Sequence, residues 1–292
     1  MKILIQNIGC LAAIVFALIP ARAQQLKIVA AENFYGGVAQ QIAGNSAKVT
    51  SILTNPNQDP HEFTSNAGTA RAVADADVVI YSGIGYDSWM EKLLGVKGKA
   101  SRVVITVADL IGAKDGDNPH IWYSPKTMPA LGEKLAEVLS QREPEHTLVF
   151  RKNLADFNAG MKPELAKIAE IRNVSAGVEV TATEPVFGYM ADALGCKMLN
   201  YDFQIKIMND AEPSADETAA FEKSLTDKQA KILFYNSQVT DPTTSRVQAI
   251  ARQAGVPVVG VTETQPPDQK SYVAWMLHQL AGVQAALPAK SR

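Results

Sequence analysis

The stretch EHTLVFRKNLADFNAGMKPELAKIAEIR, residues 145–172, decides the architecture. Leu148, Phe150, Leu154, Phe157, Met161, Leu165, Ile168 and Ile171 recur at helical spacing among many charged residues. That spacing is the signature of an amphipathic helix rather than a strand. No strand candidate interrupts the run. Pro163 costs one backbone hydrogen bond and crowds the turn before it, so a bend is expected there. The reading is one long rigid helix joining two lobes; two shorter packed helices are the alternative.

On either side of this helix the grammar is the same. Before it, LKIVAAE (26–32), KVTSILT (48–54), DVVIYSG (77–83) and RVVITVA (102–108) read as strands. Helical patterns over 34–44, about 66–75, 86–94 and 125–142 alternate with them. The last of these is expected to be capped by Ser124, with Pro125 at its first helical position. After the long helix, strands are expected over 177–183, 196–200, 231–237 and 256–262. Helices are expected over 185–195, from Ser214 to about Leu225, from Asp241-Pro242 to near Gly255, and over 271–287. Ser214 and Glu217 spell a capping box. Strands alternating with helices predict βαβ units and mostly parallel sheets. The fold class is therefore α/β: two lobes, each a mostly parallel sheet flanked by helices, joined by one long helix. The expected division is 24–144, 145–172 and 173–292. No clear sequence repeat relates the halves.

The first 23 residues read as a secretory signal. Met1-Lys2 is followed by an apolar run from Ile8 to Ile19, then Pro20 and Ala21-Arg22-Ala23, with cleavage expected after Ala23. Cys10 sits at the front of the apolar run, which argues against a lipid anchor and for a periplasmic protein. Loss of the signal leaves Cys196 alone, so an internal disulfide is excluded and the fold must rest on its core. The roughly 270 remaining residues suffice for two lobes of ordinary size. With 28 Lys and Arg against 30 Asp and Glu, net charge is near zero and there is no basic stripe. Nucleic acid and anionic lipid are thereby excluded as expected partners. No later apolar run is long enough to insert in a membrane.

Four candidate ligands emerge from one topological rule: in open α/β sheets, ligands gather at the carboxyl ends of the strands. The chain has only four histidines. Two occur in matching contexts, QDPHEF (58–63) and DNPHIW (117–122), each behind a proline and two residues before an aromatic. His61 follows the strand at 48–54 and His120 the strand at 102–108. Glu184 follows the strand at 177–183 directly, and Glu263 the strand at 256–262. Two imidazoles and two carboxylates, one pair from each lobe, make a suitable ligand set for a divalent metal. A proline before each histidine restricts the backbone and aims the ring in advance.

Simpler roles exist for each. A loop histidine is usually solvated, Glu184 before Pro185 suits a helix cap, and Glu263 suits a surface turn. His146 and His278 have no motif and read as structural. Cys196 reads as a small apolar filler, and Trp89, Trp122 and Trp275 as packing residues. The Gly83/Gly85 pair in SGIGYDSW lacks the third glycine of a phosphate loop.

DPHEF (59–63), SGIGYDSWM (82–90), NPHIW (118–122), TEPVFGYMADALG (183–195) and GVPVVGVTET (255–264) together cover nearly the whole chain after the signal. In these segments the chain resembles the zinc- and manganese-binding solute receptors of bacterial ABC importers, the cluster A-I periplasmic metal-binding proteins. The resemblance implies two lobes about one rigid helix, metal held between them, and delivery to a membrane permease powered by a separate ATPase subunit. By position it implies His61, His120, Glu184 and Glu263 as the metal ligands. Manganese-type members have a glutamate at the third position, and many zinc receptors a histidine. The fourth is usually an aspartate, so Glu263 departs from the pattern. The loop GAKDGD before NPHIW also lacks the histidine-rich insertion of many zinc receptors.

The expectation is a monomeric periplasmic receptor that captures Mn²⁺ or Zn²⁺ (Fe²⁺ also fits the donor set) for an ABC permease, without covalent chemistry. The rival from another class is a periplasmic zinc-dependent hydrolase, in which an open metal position would hold water. No HExxH motif supports it. A third reading, an adhesin or partner-binding protein, has no surface signature.

Overall fold

The computed structural model describes residues 25–56, 58, 60, 63–239 and 242–287. The expected signal segment, His61 and Asp241 lie outside the described residues.

The first lobe runs β1 (Leu26–Glu32), α1 (Asn33–Ala43), β2 (Ala47–Leu53), α2 (Ala67–Ala74), β3 (Val78–Tyr81), α3 (Ser88–Leu94), β4 (Val103–Thr106), α4 (Val107–Ile111) and α5 (Thr127–Arg142). Its four strands are parallel in the order β2-β1-β3-β4. After α6 (Thr147–Ser175) come β5 (Glu179–Ala182), α7 (Gly188–Ala193), β6 (Lys197–Met198), α8 (Tyr201–Met208), α9 (Ala215–Thr226), β7 (Leu233–Asn236), α10 (Pro242–Ala254), β8 (Val258–Val261) and α11 (Tyr272–Ala286). The second sheet is also parallel, in the order β6-β5-β7-β8. The two sheets thus have one topology. In each, the chain leaves the first strand to one side and returns to the other, and a crevice opens at the carboxyl ends where the direction reverses.

The linker is a single helix of 29 residues, with Pro163 inside it. Its buried seam is Phe150, Phe157, Met161, Glu164, Ile168, Ile171 and Ser175. The sequence pattern put Leu148 and Leu165 on this seam, yet Leu148 is 80% and Leu165 44% exposed. The true seam passes through Glu164, whose carboxyl is fully buried and accepts no hydrogen bond from a described residue. Burial pushes its pKa up to about 8. α6 packs against α1 and α5 of the first lobe and against α11, which closes the chain.

Local differences from the expected elements have local causes. The run Val103–Thr106 passes into α4 without a glycine, proline or capping side chain to mark the change, so strand was expected through Ala108. α5 starts at Thr127, because residues 121–123 form a 3₁₀ turn and Thr127 Oγ1 donates to the Ile121 carbonyl (2.6 Å). The Ser124-Pro125 pair lies in the intervening turn, and Ser124 is not the cap expected of it. α8 was absent from the sequence reading. It is entered from Asn200 at φ 56°, with no side-chain cap to announce it. The capping box at Ser214 is present, with both reciprocal bonds made.

Candidate metal centre

His120 is fully buried although it sits in a loop. It is reached from β4 through α4 and the segment 112–119, and it immediately precedes the 3₁₀ turn 121–123. Its ring is aimed by Asn118, whose Oδ1 accepts from His120 Nδ1 (2.8 Å) and from the His120 backbone N–H (3.1 Å). This bond puts the neutral ring's proton on Nδ1 and makes Nε2 the metal-capable atom. Tyr86 and Trp122 pack edge-on to the ring, at centroid distances of 5.9 and 5.2 Å. An outer partner of this kind is what fixes the tautomer and orientation of a ligating histidine.

Asn118 also ties the loop to the other lobe. Its amide donates to the Pro185 carbonyl (2.7 Å), and Tyr189 Oη donates to the Asn118 carbonyl (3.0 Å). Gly188 makes this approach feasible, because a Cβ there would lie 2.7 Å from Asn118 Nδ2. Two further bonds fasten the loop: Tyr123 Oη donates to the Thr262 carbonyl, and Tyr272 Oη to the Trp122 carbonyl, both at 2.7 Å.

Glu263 follows β8 and is 2% exposed. Its Oε1 lies 3.5 Å from His120 Nε2, across the junction of the lobes. Its Oε2 accepts from Asn236 Nδ2 (2.9 Å), at the carboxyl end of β7. Gln238 Oε1 accepts from the backbone N–H groups of Glu263 and Thr264, both at 2.8 Å, and so sets the turn that carries the carboxylate. Glu184 flanks the 3₁₀ turn 185–187 but makes no side-chain cap bond. Instead its Oε2 accepts from the same Asn236 amide at 3.4 Å. The side chain is therefore not engaged in the capping role that its place in the sequence suggested. Glu184 and Glu263 both line a cavity of about 330 Å³ together with Met208, Asp210 and Glu212.

Three of the four candidates from the sequence are thus linked: His120 faces Glu263, and Asn236 bridges Glu263 and Glu184. His61 lies outside the described residues; its neighbours Pro60 and Phe63 are buried and half-buried, with the Phe63 ring 4.5 Å from that of Trp89. Among the described residues no three His, Cys, Asp or Glu side chains gather as a metal cluster. The amide of Asn236 stands between the two carboxylates. The donor set still suits a hard-to-borderline divalent ion, since it offers an imidazole nitrogen and carboxylate oxygens in a buried place. His278 is exposed, and His146 bonds Glu143 three residues before it (2.9 Å).

Asn118, Asn236 and Gln238 were missed in the sequence. Asn236 had a legible signal, the same strand-end position that singled out the acids. Two buried acids were missed as well. Glu32 ends β1 and Asp87 precedes α3, in the loop after β3. Asp87 accepts from the backbone N–H groups of Ser82 (2.6 Å) and Gly83 (2.9 Å), inside a turn where Gly83, Ile84 and Gly85 all have positive φ. The amides that a phosphate loop would present are therefore taken by this carboxylate.

Comparisons with known proteins bear on the family and the fold. The family model described as "Zinc-uptake complex component A periplasmic" matches residues 28–286. The manganese-binding lipoprotein MntA of Bacillus subtilis (strain 168) is 30% identical over 247 residues, spanning 80% of this chain and 78% of that protein. Among solved structures, a Mn-bound mutant of the periplasmic metal binding protein from Candidatus Liberibacter asiaticus superposes with a TM-score of 0.76 at 20% identity, covering 90% of this chain and all of that one. The periplasmic zinc binding protein TroA from Treponema pallidum does so with a TM-score of 0.76 at 18% identity, covering 91% of this chain and all of that one. At those identities the structures speak for the fold alone. With the family model spanning both lobes and the helix between them, the chain belongs to the family of periplasmic zinc-uptake component A proteins.

Proposed function

We propose that His61, His120, Glu184 and Glu263 hold one Mn²⁺ or Zn²⁺ between the lobes and that the chain hands this ion to the permease of an ABC importer. The chain is a periplasmic receptor for a divalent transition metal, as its family membership implies. The ion is cargo, and the same membership speaks against the hydrolase alternative.

One observation carries the ligand assignment: buried His120 Nε2 and Glu263 Oε1 stand 3.5 Å apart across the lobe junction, with the ring's other nitrogen already bonded to Asn118. A histidine so oriented loses little freedom when it takes a metal. Glu184, beside the same Asn236 amide and on the wall of the same cavity, needs only to turn from Asn236 to the ion. The place of His61 in the set rests on its matching PH-x-aromatic context.

Two carboxylates and two imidazoles suit Mn²⁺, and bidentate carboxylates raise the coordination number above four, which also suits Fe²⁺. Zinc outbinds manganese at nearly any such site by the Irving–Williams order. The site therefore takes both ions in solution, with manganese the favoured cargo in the cell. MntA, the B. subtilis relative, is named for manganese, and TroA, the T. pallidum neighbour, for zinc. The continuous α6, packed on helices from both ends of the chain, restricts the lobes to a small tilt. Release then depends on the permease drawing them apart. Elemental analysis of protein purified without added metal or chelator, followed by Mn²⁺/Zn²⁺ competition, tests this. Bound manganese or zinc at one ion per chain is expected, and a metal-free protein that resists loading with either would overturn it.

A further inference from the structure

The shared topology of the lobes gives Glu184 a counterpart. β1 and β5 occupy the same place in their sheets, and at or just past the end of each comes a glutamate, two residues, an aromatic and a glycine: Glu32-Asn33-Phe34-Tyr35-Gly36 and Glu184-Pro185-Val186-Phe187-Gly188. Glu32 is fully buried, and among the described residues no other residue donates a hydrogen bond to its carboxyl oxygens. Nor is its side chain engaged in capping α1. The parallel register of β1 and β3, Ala30 opposite Ile80, carries Glu32 toward Ser82, whose N–H bonds a second buried carboxyl, Asp87, and a bond between two carboxyls exists only if one of them carries a proton.

We propose that Glu32 and Asp87 share one proton behind the metal cleft, and that this proton leaves when the cation is captured, so that the pair supplies a reserve negative charge to the loaded site. The inference rests on the receptor reading above. The assignment of the proton follows from the partners. Burial raises the Asp87 carboxyl to about 6, but two backbone N–H groups hold its charged form, while Glu32 has only its own backbone N–H, so Glu32 holds the proton and donates to Asp87. Tyr35 from α1, Tyr86 from the 82–87 turn and Glu263 from beyond β8 also act on Glu32, and none of them is a cation. Glu263 as an anion reinforces the neutral form of Glu32. Ser82 Oγ bonds Tyr35 Oη (3.0 Å) and closes the group on that side. Burial foremost, then the Asp87 charge, holds the Glu32 carboxyl well above the usual carboxylate range. A divalent cation beside Glu263 reverses the local sign. Glu32-COOH becomes Glu32-COO⁻, the bond to Asp87 is broken, and the proton passes to solvent.

The test is calorimetry of Mn²⁺ binding near neutral pH in buffers of different ionisation enthalpy, with wild type and Glu32→Gln side by side. Glutamine keeps the shape of Glu32 and can still donate to Asp87. Wild type is expected to release up to one more proton per ion than the variant, and its affinity to rise more steeply with pH. Normal binding with equal proton release would overturn the proposal. If the variant fails to fold, infrared spectra decide the matter in a Glu164→Gln background, which removes the other buried protonated carboxyl. A protonated-carboxyl band is expected in the metal-free protein and is lost on adding Mn²⁺. Its absence from metal-free protein, or its survival in loaded protein, would refute the shared proton or its release. A chain that takes up neither Mn²⁺ nor Zn²⁺ overturns the receptor reading and with it the release step, while the metal-free band still decides the shared proton.

Discussion

The two lobes place the same sheet, in the same strand order, on either side of one cleft, and they orient the proposed ligands by different means. The first lobe fixes a ring: His120 is oriented by one side-chain bond to Asn118 and wedged between Tyr86 and Trp122. The second fixes carboxylates with amides: Asn236 donates to Glu184 and Glu263, and Gln238 holds the backbone of Glu263. A flat, neutral ligand can be set by packing. An anionic, freely rotating one needs donors, and those donors must be given up or shared when the cation arrives. In the proposed site the first lobe is therefore the preorganised half, and the second the half that rearranges.

The largest effect should come from removing ligands on either side of that comparison. His120→Ala and Glu184→Gln should each weaken Mn²⁺ capture by more than the roughly 100-fold that outer partners account for, as read by competition with a metal-sensitive dye. His278→Gln, on an exposed position, should leave affinity unchanged. If His278→Gln weakened capture and Glu184→Gln did not, the site would be misassigned.

A comparably large effect, on stability and without any metal, is expected at the helix between the lobes. The Glu164 carboxyl is pushed up to about 8 by burial, far above its unfolded value. Its contribution is fully present below the ordinary carboxylate range and is lost as pH rises toward about 8. Denaturant midpoints of metal-free protein should therefore fall over that window, by up to about 1.4 kcal/mol per pH unit. Glu164→Gln should flatten the profile and raise stability at pH 8. An unchanged profile in the variant would show that Glu164 finds a partner for its charge.

The outer partners sharpen the contrast between the lobes. Asn118→Ala frees the ring's tautomer and orientation and should cost about 10–100-fold in affinity. Asn236→Ala removes a donor that competes with the ion for both carboxylates, and should cost less than Asn118→Ala. Equal losses would mean that both lobes are preorganised alike. The smallest effect is local: Ser214→Ala removes the cap of α9, remote from these ligands, and should cost about 1 kcal/mol of stability with metal affinity intact.

Much of this was legible in the sequence because the signals were periodic or punctuated. α1 and α11 came within about a residue of their expected ends, since the apolar runs there stop at Gly44 or begin at a capping Ser271. The burial of Glu164 was not legible. The helical period placed the neighbouring Leu165 on the seam, and only packing decides which of two adjacent residues faces inward. Nor was the role of Asn118, which stands two residues before the histidine it aims and binds across the lobe junction to Pro185. Strand-end position pointed to Glu184 and Glu263. The same rule, applied to β1 and β7, would have found Glu32 and Asn236.

The account depends on one convergence of side chains across the junction. Anomalous diffraction from crystals of the Mn²⁺-loaded chain tests it most directly. A single manganese peak is predicted between the lobes, about 2.0–2.3 Å from His120 Nε2, His61 and the carboxylates of Glu184 and Glu263. A peak at any other place, or one bound by side chains of a single lobe, would contradict it.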